Sequence, residues 1–117
     1  IWGVSALAEN YLIEGVDFLP AQVAQLAAQY PLRAVFLGCA QMTPERFDQF
    51  PGRSRGYAHL PGPLRRQFAH DVPLWSAFIR QEAKRFQYPY IDMSVDFTTR
   101  LNEAEAALTA RTTDKNI

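Results

Sequence analysis

Along this chain, short continuous apolar runs alternate with stretches in which apolar residues recur every three to four positions. Tyr11-Leu12-Ile13-Glu14-Gly15-Val16 is one such run, rich in strand formers apart from one acid, and it predicts a buried parallel strand over 11–16. Pro20 then opens a stretch in which Val23, Leu26, Ala27 and Tyr30 fall at i, i+3, i+4 and i+7, the spacing of a helix with one buried face, and Pro31 closes it. From Arg33 to Cys39 the chain is again continuously apolar after its first residue, which repeats the buried-strand signal. Strand, helix and strand with short joints form a βαβ unit, which favours a parallel sheet covered by helices.

Thr43-Pro44-Glu45 supplies a capping residue, a first-turn proline and an early acid, and so predicts a short helix through Phe50. The texture changes between Pro51 and Pro73, where Gly52, Gly56 and Gly62 mix with four prolines and with Arg53, Arg55, Arg65 and Arg66; this reads as a basic loop or lid over 51–73. Beyond it, Trp75, Phe78, Ile79, Ala83 and Phe86 share one side of a helix and Arg80, Gln81, Lys84 and Arg85 the other. Pro89 to Met93 is a third strand candidate, and Asp96 is placed to cap a last helix with the core face Phe97, Leu101, Ala104 and Leu108. At the front, Trp2, Val4, Leu7 and Ala8 read as the end of a helix. The expected architecture is a partial three-layer α/β domain over 1–110, with strands near 11–16, 33–39 and 89–93 and a polar tail over 111–117. Ile1 in place of a Met, followed by Trp2-Gly3-Val4-Ser5, is read as a sign of truncation.

Composition narrows the function classes. Apolar residues make up 48% of the 117, aromatics 13% and charged residues 21%, the profile of a globular chain. Twelve basic and twelve acidic residues cancel, so no bulk field draws the chain onto nucleic acid or an anionic membrane, and neither is an expected partner. The single cysteine, Cys39, lies in an apolar run without metal-ligand spacing around it and reads as a small buried hydrophobe. No signal peptide is recognisable, and the cytoplasm is the expected compartment.

Glu14 carries the first chemical suggestion. An acid at the carboxyl end of a buried strand faces the crevice where α/β sheets bind ligands, and in phosphoryl transfer such an acid orients a magnesium-bound water or the attacking hydroxyl. The same residue equally suits a strand-end acid that caps a loop amide or pairs with an arginine. Arg46, Arg53, Arg65 and Arg66 form the second constellation, because planar guanidinium groups grip phosphate oxygens in pairs; singly, each also suits a solvated loop position. His59 and His70 suit acid–base roles by residue type but read as surface residues, and no nucleophile elbow accompanies them. Asp92 and Asp96 bracket the exit of the third strand, with structural roles favoured for both.

The segment Tyr-Leu-Ile-Glu-Gly-Val-Asp-Phe-Leu-Pro at 11–20 resembles the strand-plus-acid segment of nucleoside-kinase-like and 2-phosphoglycerate-kinase-like members of the P-loop NTPases. The order of the remaining elements agrees over nearly the whole chain. The resemblance implies an ATP-dependent phosphotransferase acting on a small hydroxylated metabolite, with ATP and Mg2+ as cofactors of the intact parent. It makes Glu14 the Walker-B-like acid, touching the metal through water, and Asp17 a second acid near the substrate. Arg46, Arg65 or Arg66 would contact phosphates. The chain departs from the family at one decisive point: no G-x-x-x-x-G-K-[ST] occurs in it, so the cradle for the triphosphate lies upstream of Ile1 or the protein never binds ATP. On the first branch the N-terminal part of the same domain is a required partner and this chain alone is inactive. On the second, the chain is a non-catalytic nucleotide-binding or regulatory module, or a protein-interaction domain with an open sheet edge.

Overall fold

The computed structural model describes residues 11–48 and 60–109. The elements are, in order, α1 (Pro20–Ala27), β1 (Phe36–Gly38), α2 (Pro44–Asp48), α3 (Gly62–Arg85), β2 (Tyr90–Asp92) and α4 (Phe97–Thr109). β1 and β2 pair in parallel, with Phe36 opposite Tyr90, Leu37 opposite Ile91 and Gly38 opposite Asp92. The chain is therefore of mixed α/β class, with a two-stranded parallel sheet among the described residues.

Local chemistry explains most of the boundaries. Pro20 opens α1, where a missing N–H costs nothing, and the Gln22 side chain reaches back to accept the Leu19 amide at 3.2 Å. Thr43 caps α2, its Oγ1 accepting the Arg46 amide at 3.3 Å. α3 ends in a left-handed turn: Gln87 has φ 63, its amide donates to the Lys84 carbonyl at 3.1 Å, and the Tyr88 amide donates to the Ala83 carbonyl at 2.8 Å. This pair of bonds is a Schellman motif, which stops the helix and delivers the chain straight into β2. Asp96 holds the corresponding position before α4, and its Oδ1 lies 3.5 Å from the Thr99 amide.

The core lies on the sheet face that carries Phe36. Val23 of α1, Phe36 of β1, and Ile79 and Ala83 of α3 form one buried cluster, against which Phe18, Leu19, Leu32, Ala34, Tyr88 and Tyr90 pack. Each fully buried aliphatic or aromatic side chain of this kind contributes about 1.5–3 kcal/mol. The rings of Phe36 and Tyr88 meet at 5.8 Å between centroids with a 56° tilt, a geometry that adds to the area term. Leu37 points to the opposite face, as strand alternation requires, and is 48% exposed.

Three expectations are corrected. Residues 11–16 do not form a strand: they are exposed throughout, with Val16 at 86%, and no hydrogen-bonded ladder includes them. An apolar, β-branched sequence supplies only a preference, while a strand needs a neighbour to pair its amides and carbonyls. The region read as a lid over 51–73 is helical from Gly62 onward. Pro63 sits in the first turn, where its missing donor is harmless, and Pro73 is carried inside a 24-residue helix anchored by buried Ala69, Ser76, Ile79 and Ala83. The strands at 33–39 and 89–93 exist but are trimmed to three residues each. The expected helix end at 2–10, the loop at 51–59, Phe50 and the tail lie outside the described residues.

Candidate functional site

The two strands leave the sheet side by side, and their exits are tied together by side chains. Three successive backbone amides after β1 are each received by a side chain: Cys39 by Ser76 Oγ at 2.8 Å, Ala40 by Asp92 Oδ1 at 3.0 Å and Gln41 by Ser94 Oγ at 2.9 Å. The β2 exit closes on itself in the same way. The Ser94 amide and hydroxyl both donate to Asp92 Oδ1, at 3.0 and 2.6 Å, and the Met93 amide donates to the Gly38 carbonyl at 2.7 Å. Arg46 completes the frame from α2, with Nη1 donating to the Gln41 carbonyl at 3.1 Å and Nη2 to the Ser94 carbonyl at 2.6 Å. The Cys39 thiol donates to the Gln41 carbonyl at 3.0 Å. Ser94 Oγ also lies 3.4 Å from Cys39 Sγ, but its one proton goes to the nearer, charged carboxylate.

These contacts set the electrostatics. Partial burial pushes the Asp92 carboxyl up, but the hydrogen bonds from the Ser94 hydroxyl and from the Ala40 and Ser94 amides, with the positive charge of Arg100, outweigh it and hold the group below the ordinary aspartate value. Tyr90, beside it, is pushed above the usual phenol range by burial and by the Asp92 charge, against a hydrogen bond with Ser76 and the charge of Arg80. The edge is thus a carboxylate held ionised by donors of the chain itself.

α3 forms a wall over this edge. Its Ser76 meets Cys39 at the end of β1, and its Ala83 meets Tyr88 just ahead of β2, so the helix runs opposite to the strands. The part from Gly62 to Ser76 then extends roughly 21 Å beyond the contact, at about 1.5 Å per residue. Arg65 and Arg66 lie in the first turns of that projecting half.

The residues expected to carry the chemistry are distributed unevenly over this frame. Glu14 and Asp17 are exposed in the irregular segment before α1, so Glu14 does not stand at the end of a strand. Arg46 is at the edge, but both of its terminal nitrogens named above are engaged by carbonyl oxygens. Arg65 is half-buried and Arg66 exposed; Arg53 and His59 lie outside the described residues. His70 is exposed on α3, with Nδ1 3.4 Å from Asp71 Oδ1. Asp92 reaches the edge as a loop staple. Ser76 and Ser94 are not singled out by the sequence pattern. Their only signals are a serine within an apolar helix face and an Asp-x-Ser sequence leaving a strand, a local pattern in which the aspartate accepts amides of the following turn.

The fit of Mg2+ and ATP follows from the same bonds. A phosphate cradle needs free amides aimed at the ligand, whereas the amides of 39–41 are occupied by Ser76, Asp92 and Ser94. Among the described residues, no group of three His, Cys, Asp or Glu side chains is gathered as a metal site. The described residues therefore do not fit magnesium-ATP by themselves. None of the helices among them is long and apolar enough to cross a membrane. No protein-family model, curated protein or solved structure matches the chain.

Proposed function

We propose that the chain is the C-terminal part of a P-loop-kinase-like domain whose parent protein transfers the γ-phosphoryl group of ATP to a small hydroxylated metabolite. The observation that carries the reading is the parallel β1–β2 pair with an ionised Asp92 at its carboxyl end and the Arg65- and Arg66-bearing half of α3 projecting past that end. Open α/β sheets take ligands at the carboxyl ends of their strands, and the arginines lie further along α3, roughly 15 Å past the Ser76 contact, where a guanidinium would suit the phosphate end of an extended ligand. Triphosphate and magnesium would be held by the remainder of the domain. In this reading Glu14 and Asp17 are solvent-accessible acids that join the site only when the domain is complete.

Uncovered apolar surface supports the idea of a partial domain. Leu12, Ile13, Val16, Leu37, Leu74, Trp75 and Phe78 are exposed, a larger set of bulky apolar groups than the four-residue core cluster buries. The same surface, with a sheet that has two strands among the described residues, favours a second reading as an interaction module covered by another protein.

The test is phosphoryl transfer from magnesium-ATP by the intact parent to a panel of hydroxylated metabolites, in the wild type and in Glu14→Gln. Transfer by the wild type with a fall of at least a hundredfold in Glu14→Gln, about 2.7 kcal/mol in barrier, is the expected result. Undiminished transfer in the variant removes Glu14 from the mechanism, and no transfer by the wild type leaves the interaction module standing.

A further inference from the structure

Of the apolar surface left open, the part on α3 has a period of its own. Leu64, Phe68, Leu74, Trp75 and Phe78 are between 41% and 61% exposed, on a helix whose core face is supplied by Ala69, Ser76, Ile79 and Ala83. Leu64, Phe68, Asp71, Trp75 and Phe78 follow one another at intervals of four, three, four and three, so they form one stripe down the helix, with Leu74 beside it. The rings of Trp75 and Phe78 meet on this stripe at 5.4 Å between centroids. Over two heptads, these intervals make the kind of seam that one helix presents to another lying along it.

We infer that the chain forms a weak antiparallel dimer in which this stripe of α3 lies against the same stripe of a second copy. The seam is nearly symmetric about Asp71: turned end for end, Leu64 falls opposite Phe78 and Phe68 opposite Leu74, so a second copy covers the bulky groups with groups of the same kind. With a whole aromatic side chain at about 150–250 Å², three half-exposed rings and two leucines offer roughly 500 Å² per copy, so the pair buries about 1,000 Å², the lower bound of a specific interface. Asp71, which accepts Gln67 Nε2 at 2.8 Å, meets its own copy at the two-fold axis, and this like-charge contact keeps the affinity low. The dimer does not rest on the phosphotransfer reading. It covers the α3 part of the open surface and leaves Leu12, Ile13, Val16 and Leu37 to the rest of the parent domain.

The experiment is sedimentation equilibrium of the full chain from about 10 μM to 1 mM, where a monomer–dimer Kd on the order of 100 μM is expected. Asp71→Leu, which completes the seam at an exposed position, should tighten the dimer at least tenfold, and Trp75→Glu should weaken it at least tenfold. If Trp75→Glu fails to fold, Leu74→Lys takes its place with the same expected loss. A short bis-maleimide linker then reads the direction in a Cys39→Ser background. Antiparallel pairing about residue 71 sets the α-carbons of the two copies about 9 Å apart at Asp71→Cys and about 31 Å apart at Gln81→Cys, so only the first variant should be linked. A wild type that stays monomeric to 1 mM overturns the inference. Dimers that Trp75→Glu or Leu74→Lys leaves intact overturn it too, by placing the contact elsewhere, and linkage at both cysteine positions overturns the antiparallel arrangement.

Discussion

Tyr90 lies across Gly38, the residue diagonal to it in the parallel ladder, so closely that a β-carbon on Gly38 would fall 2.6 Å from ring atoms Cε2 and Cζ and closer still to the hydroxyl oxygen. The glycine is there for space and not for its backbone angles. Its lack of a side chain lets the Tyr90 hydroxyl reach Ser76, and Ser76 in turn receives the Cys39 amide, so the tight approach and the polar edge are parts of one arrangement.

Gly38→Ala should therefore destabilise the chain by about 1–3 kcal/mol through overpacking against a ring that is itself packed on the core. Urea denaturation measures this directly. Adding Tyr90→Phe should restore only part of the loss, because the ring carbons remain in the way; an alanine variant as stable as the wild type would show that the ring moves aside freely.

Arg46 makes a different kind of prediction, since its guanidinium spans two carbonyls belonging to different loops, Gln41 after β1 and Ser94 after β2. Arg46→Ala should cost about 1–2 kcal/mol, a value at the low end for charged hydrogen bonds because the residue is only half-buried. Arg46→Lys should recover less than half of it, as an ammonium lacks the fork that bridges two acceptors. Full recovery with lysine would mean that charge alone, and not the bridge, holds the loops.

How much of this arrangement was legible beforehand depends on what each residue's role requires. Val23, Phe36, Ile79 and Ala83 are legible because burial imposes a period on the sequence, and β1, β2 and α1 lie where that period or its absence places them; α4 also lies where expected, but of its expected core face Phe97 and Leu101 are exposed and Ala104 is buried. The first half of α3 was hidden by Pro63 and Pro73, whose usual meaning as breakers is overridden by position in one case and by packing in the other. Residues 11–16 show the reverse, a strand-like sequence without a strand, because pairing is a property of two segments and the apolar pattern of one does not supply the other. At the edge, the bond from Gln41 to Ser94 joins residues 53 apart, and no local pattern encodes which serine will receive which amide.

The Asp92 staple should be visible in the pH dependence of stability. Its folded-state carboxyl is held below the ordinary value of 3.8, so the unfolded chain binds the proton more readily than the folded one. The stabilisation is then fully present above about pH 3.8 and is lost as the pH falls through the lowered folded-state value. The difference in unfolding free energy between the wild type and Asp92→Asn should accordingly hold steady from neutrality to about pH 5 and shrink below it. A difference that stays constant down to the acid limit of folding would place the stabilisation outside the ionised carboxylate.

The helix stop before β2 offers a prediction in the stabilising direction. Gln87 occupies the left-handed position of the Schellman motif, with φ 63, while Tyr88 beyond it packs on the core cluster that contains Ala83. For a residue with a β-carbon this conformation costs roughly 1–2 kcal/mol, which glycine avoids. Glycine also gives the unfolded chain more freedom, an opposing effect of about 0.4–1 kcal/mol. Gln87 is exposed and its side chain contributes no burial, so Gln87→Gly should raise stability by about 0.5–1 kcal/mol net. Gln87→Ala, which keeps the β-carbon, should gain nothing. Equal gains in both variants would show that the glutamine side chain, and not the backbone angle, is the source of the strain.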